Sequence, residues 1–288
     1  MPEADLVAAR ALGAAAMLAA AGMPLYLLTL RQTLSGKSRA VVAALALVAA
    51  AASVWWAAAS IAAMAAMPVS ALDWPIASAV LSATPLGKVL AVRLLALAFL
   101  VLFAAVSGRP ALHTLAGVLA LSTSAWTGHA GAGEGALGTA QRVADVIHLG
   151  AASLWLGALM LLLAALLPGK PKEEAARRLA GFAATGTLVV TLLTLTGVFN
   201  AYAISRPGWS VTSGWSVLLA VKIGLFVAML AFAGFNRWRL TPALVNGKPG
   251  ASTHLRLSLA LETGCAVAIV VIVAVLGALD PGAAPLSG

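Results

Sequence analysis

Long apolar runs separated by short polar breaks repeat along the whole chain, and none of them alternates. The stretch AVVAALALVAAAASVWWAAASIAAMAAM at 40–67 is representative. A half-buried strand would alternate apolar with polar residues, so uninterrupted runs of eighteen or more argue for helices long enough to cross a hydrocarbon core of about 30 Å. The pattern predicts eight such helices, at roughly 5–30, 40–67, 86–107, 110–128, 140–167, 175–203, 215–238 and 253–279. The predicted fold is all-α: one polytopic membrane domain over 1–288.

Composition supports this. Of 288 residues, 62% are hydrophobic and 9% charged, a balance unsuited to a water-facing surface. The net charge of +9 is carried by basic residues set singly or in small groups between apolar spans, so it is read as a topology signal and not as a nucleic-acid surface. Arg31, Lys37 and Arg39, then Arg109, then Lys170, Lys172, Arg177 and Arg178, then Arg237, Arg239, Lys248 and Arg256 fall in alternate breaks. The opposite breaks hold Glu3 and Asp5, Asp73, Glu134, Arg206 and Asp280. By the positive-inside rule the first set faces the cytoplasm, which puts both termini on the periplasmic side. The acidic N-terminus and long first apolar segment read as a retained helix and not as a signal peptide.

An internal repeat is one reading of the halves 1–135 and 136–288. LAVR at 90–93 and LAVK at 219–222 occupy similar places, and Gly22 and Gly157 each follow a small-residue stretch. Duplicating four helices preserves orientation and gives parallel repeats. Chance similarity between Leu/Ala-rich helices is the other reading.

Ionisable groups inside a membrane helix are expensive, so each raises a question of function. Arg93 and Lys222 lie about two turns from the outer ends of their helices, where snorkelling or pairing with Asp145 accounts for them. Glu262 is deeper and needs a partner or a proton, with Asn200 and Asn236 as candidate partners. His129 and His148 flank a glycine-rich hairpin and converge near the outer face, and Asp145 shares a helix face with His148. Met64 and Met67, three apart, add soft donors; thioether with imidazole suits Cu(I), although methionine also fills packing gaps. His113 and His254 begin helices at the cytoplasmic side and read as solvated. Cys265, the one cysteine, reads as a small hydrophobe. Trp126 fits an aromatic belt, whereas Trp55, Trp56 and Trp155 pack between helices.

GHA at 128–130, HLGAASLWLGAL at 148–159, VLLAVKIGLFVAMLAFAGFNRWRLTPAL at 217–244 and LRLSLALETG at 255–264 together resemble the CopD family of bacterial copper-resistance inner-membrane proteins. The likeness covers about 120 to the end. It implies eight inner-membrane helices, copper moved from periplasm toward cytoplasm, and a periplasmic CopC-like copper-binding partner. It places His129 and His148 on the family's histidines, Trp155 and Gly157 on its WxG, Lys222 and Asn236 on the seventh-helix pattern, and Glu262 on the last-helix acid. The first half is less similar. Where the first helix of such proteins can carry a histidine this chain has Gly13, with Met17 or Met23 as stand-ins.

The expectation is therefore a non-enzymatic membrane protein that binds copper, as Cu(I) or Cu(II), through His129 and His148, with Asp145, Met64 and Met67 in support. A haem-binding electron-transfer protein or copper reductase is the alternative, pairing His129 with His148 and His113 with His254. A scaffold for a periplasmic copper chaperone is the third reading. Membrane lipid is an expected partner and nucleic acid is not.

Overall fold

The structure is a computed structural model that describes residues 2–127, 134–169, 172–205 and 213–279. Among these residues every regular element is helical. They are α1 (Pro2–Thr29), α2 (Gly36–Met64), α3 (Trp74–Ala83), α4 (Pro85–Val106), α5 (Pro110–Ser122), α6 (Gly135–Ala165), α7 (Lys172–Ser205), α8 (Gly214–Phe235), α9 (Thr241–Val245) and α10 (Ala251–Leu276). Short 3₁₀ turns cover Val69–Ala71 and Thr123–Trp126, and one π-helical turn, Asn236–Leu240, links α8 to α9.

Seven of these helices are long and apolar enough to cross a membrane, and their positions agree with seven of the eight predicted spans. The exception is the run predicted at 110–128. There α5 has thirteen residues and passes into the 3₁₀ turn at Thr123, where the threonine hydroxyl donates back to the Ala120 carbonyl at 2.6 Å. The break at 68–85 is not a plain loop. Asp73 caps α3 by accepting from the Ile76 N–H at 3.0 Å, and Pro75 sits in the first turn, where its missing N–H costs nothing. This short helix packs Ile76, Ala77, Val80 and Leu81, partly buried, against Ala9, Trp56, Ile61 and Leu86, and leaves Trp74 exposed.

The centre of the bundle is α1, which packs against α2, α5, α6 and α10. Small residues make this possible. Ala16, Ala20 and Ala21 are buried, and Gly22 meets Gly157 of α6 backbone to backbone: a Cβ on Gly157 would lie 2.1 Å from the Gly22 carbonyl carbon, and one on Gly22 would lie 1.8 Å from the Ser153 carbonyl oxygen. Without a hydrophobic drive between helices in lipid, such close backbone approach is what holds membrane helices together.

Polar groups tie the helix ends. At the end where α1 begins, Arg10 donates to the Gly277 carbonyl at the C-terminus of α10 (2.5 Å), a favourable place for a cation. At the other end, Arg39 of α2 donates through Nε to the Ala104 carbonyl (2.7 Å) and through a terminal nitrogen to that of Ala105, and the Tyr26 hydroxyl donates to the Arg178 carbonyl (2.7 Å).

Candidate functional site

The half of the bundle where α1 begins encloses a cavity of about 340 Å³, walled by α1, α2, α4, α5, α6, α7, α8 and α10. Its lining mixes apolar side chains with Arg10, Arg93, Gln141, Asp145, His148, Asn200 and Lys222. Charged residues are tolerated at this depth when they face an interior space and not lipid, so the cavity explains why the sequence carries them.

His148 sits on α6 with Nδ1 2.9 Å from the Thr196 hydroxyl of α7. Thr196 spends its single hydroxyl proton on the Leu192 carbonyl, 2.5 Å away, and so can only accept from the ring. Accepting from Nδ1, Thr196 favours the neutral tautomer with its lone pair on Nε2, and the Leu193 backbone also bonds the ring. One turn earlier on α6, the Asp145 carboxylate accepts from Asn200 Nδ2 at 3.5 Å and lies within electrostatic reach of Lys222. The thioether of Met17, on α1, lines the same cavity.

Arg93 does not snorkel. It is 5% exposed, donates from Nε to the Thr123 hydroxyl (2.7 Å) and from a terminal nitrogen to that of Ser124 (3.4 Å), and lies over the Trp56 ring with 5.0 Å to its centroid. Lys222 likewise lines the cavity.

A second polar cluster lies outside this cavity. Glu262, 2% exposed, accepts from Trp155 Nε1 at one oxygen (2.6 Å) and from Asn236 Nδ2 at the other (3.1 Å). Asn236, at the start of the π turn, is thus the partner that the depth of Glu262 demands, while Asn200 serves Asp145 instead. Trp155 also packs edge-on against Phe226, centroids 6.1 Å apart.

The other candidate residues are placed differently. His129 lies outside the described residues. Met64 is exposed at the end of α2, and neither it nor Met67 lines the cavity, so the structure does not gather them with His148. His113 departs from the solvated reading: it is fully buried, with Nδ1 donating to the Arg109 carbonyl at 2.8 Å, because α5 starts against the core. His254 is exposed, so the two do not share the matched environments of a bis-His haem pair. Among the described residues no three His, Cys, Asp or Glu side chains converge as a metal cluster.

Comparison with known proteins extends the likeness into the first half. Residues 1–139 match the family model described as "Copper resistance protein D-like, N-terminal domain", and residues 176–276 match "Copper resistance protein D". The segment between them holds His148, Trp155 and Gly157. The chain is 36% identical over 180 residues to Copper resistance protein D of Pseudomonas syringae pv. tomato, covering 58% of this chain and 58% of that one. It is 29% identical over 159 residues to Inner membrane protein YebZ of Escherichia coli (strain K12), covering 54% and 55%. The chain thus spans a little over half the length of these curated relatives. No solved structure matches it. With one family's N-terminal and main models matched in order along a bundle of membrane-spanning helices, the chain belongs to the CopD family of copper-resistance membrane proteins.

Proposed function

We propose that this protein captures copper at the periplasmic face of the bacterial inner membrane and passes it toward the cytoplasm. One observation carries the reading: His148, oriented by Thr196, lines the same cavity as Met17. Imidazole with thioether is a donor set for Cu(I), and an incomplete, open set suits an ion that must leave again. His129, outside the described residues, is a candidate ligand by sequence alone, and Asp145 supports the site through its charge. Met64 and Met67 do not line the cavity and are left out of the site. The copper is cargo, and the protein moves it without chemical conversion.

Orientation follows from charge. The end opposite the cavity carries Arg31, Arg39, Arg109, Arg177, Arg237 and Arg256, against Arg10, Lys88 and Arg142 at the cavity end, so the cavity opens to the periplasm. The fourth run crosses too. The Gly108 carbonyl, just before α5, accepts from the Leu34 N–H at the basic end, while Thr123 and Ser124 meet Arg93 in the cavity half. Thirteen α-helical and four 3₁₀ residues reach about 28 Å. Eight crossings return both termini to the periplasm, where a CopC-like copper-binding protein is the fitting donor.

The test is Cu(I) affinity of the purified protein by chelator competition, set beside copper accumulation in cells. Losses of about tenfold or more are expected in His148→Ala and in Met17→Leu, as for removal of a metal's supporting groups, with Met64→Leu/Met67→Leu unchanged. Affinity and accumulation both unchanged in His148→Ala/Met17→Leu would overturn the reading.

A further inference from the structure

The cavity carries more positive than negative charge. Among the described residues that line it, Arg10, Arg93 and Lys222 are cations and Asp145 is the one carboxylate. Arg10 is answered by the Gly277 carbonyl, and Lys222 lies within the field of Asp145. Arg93 has no such answer among the described residues. A guanidinium has five N–H donors. Two of Arg93's go to the Thr123 and Ser124 hydroxyls, which leaves three without an acceptor among the described residues, on a side chain 5% exposed. Its remaining contact is the face of Trp56, an attraction but not a hydrogen bond. Buried cations are ordinarily paired, and leaving donors empty inside a protein is costly.

We propose that the cavity holds a binding site for a small monovalent anion, a halide or a small carboxylate, seated on the free N–H groups of Arg93 beside Trp56. The planar guanidinium is weakly hydrated and suits such anions better than an ammonium does. The hydroxyls of Thr123 and Ser124 orient the fork by accepting from it. Where copper is the cargo, which rests on the reading above, the anion offsets the repulsion between Cu(I) and the cationic wall. The anion site itself rests on the unfilled donors of Arg93 and not on copper.

The stacked tryptophan supplies the readout. Iodide quenches indole fluorescence on contact, so purified, metal-free protein in detergent is titrated with iodide at constant ionic strength. A saturable quenching component is expected, absent in Trp56→Phe and lost in Arg93→Gln. Competition by chloride or by acetate distinguishes halide from carboxylate. Quenching linear in iodide, or a saturable component unchanged in Arg93→Gln, would overturn the site. Because no copper is present, failure here leaves the His148 result standing, and failure of copper binding leaves this one standing.

Discussion

Trp155 and Glu262, more than a hundred residues apart, meet through a 2.6 Å hydrogen bond in the interior, and Asn236 closes the other carboxylate oxygen. The indole N–H has no other role at that position, so Trp155→Phe leaves a buried carboxylate oxygen bare. A loss of about 1–3 kcal/mol is expected, read as a lower melting temperature of the detergent-solubilised protein.

The same cluster distinguishes two substitutions of the acid. Asn236 Oδ1 has no partner, so its amide can turn over. In Glu262→Gln the new amide then donates to Asn236 Oδ1 while its oxygen still accepts from Trp155, and stability stays close to wild type. Glu262→Ala strands both donors in a cavity and is the more damaging change. If the two melt alike, the cluster is not held by these bonds.

Gly157→Ala and Gly22→Ala place a methyl group onto the facing backbone, at separations that no rotamer change relieves. Each is expected to cost about 1–3 kcal/mol or more, as overpacking does. Gly150→Ala, on the same helix with open space around it, is the control and is expected to be neutral or slightly stabilising. Thermal unfolding of the three variants checks the ranking.

Thr196→Val keeps the shape of the side chain but removes the acceptor that fixes the His148 tautomer. Copper affinity is expected to fall about 10–100-fold, with Thr196→Ser close to wild type. Equal affinities in a competition titration of the two variants would mean that the ring is held some other way.

Helix positions were legible because membrane spans announce themselves by length and composition, with no need of tertiary information. The 110–128 run was readable as apolar but not as a thirteen-residue helix with a 3₁₀ end, since that ending depends on Thr123 bonding backward and on Arg93 waiting for its hydroxyl. The Asp-x-Pro sequence at 73–75 is a helix-start signal, and α3 was open to detection from it. Within the site, Asp145, His148, Arg93, Lys222, Asn236 and Glu262 were all visible as polar groups in apolar helices. Which of them share a space was not, because that depends on helix rotation. Asn200 and Asn236 looked alike in sequence and serve different acids. Thr196 was missed because a helical threonine that bonds its own backbone leaves no mark in sequence, and buried His113 was missed because the start of a helix is exposed more often than not.

The Gly22–Gly157 contact lies one turn deeper than Leu18 and Ala152, the innermost cavity residues of α1 and α6. Beyond it the interior is filled by Tyr26, Leu159 and Leu162. Water in the cavity would therefore stop at that contact, and the membrane voltage, worth about 2.3 kcal/mol per charge per 100 mV, would fall across the packed layer beneath it. In the orientation proposed above, an ion waiting at His148 is still on the cavity side of that layer and has crossed little of the electric field. The inward step past the two glycines is then the one that a negative cell interior pulls on, and the step whose rate should respond to voltage.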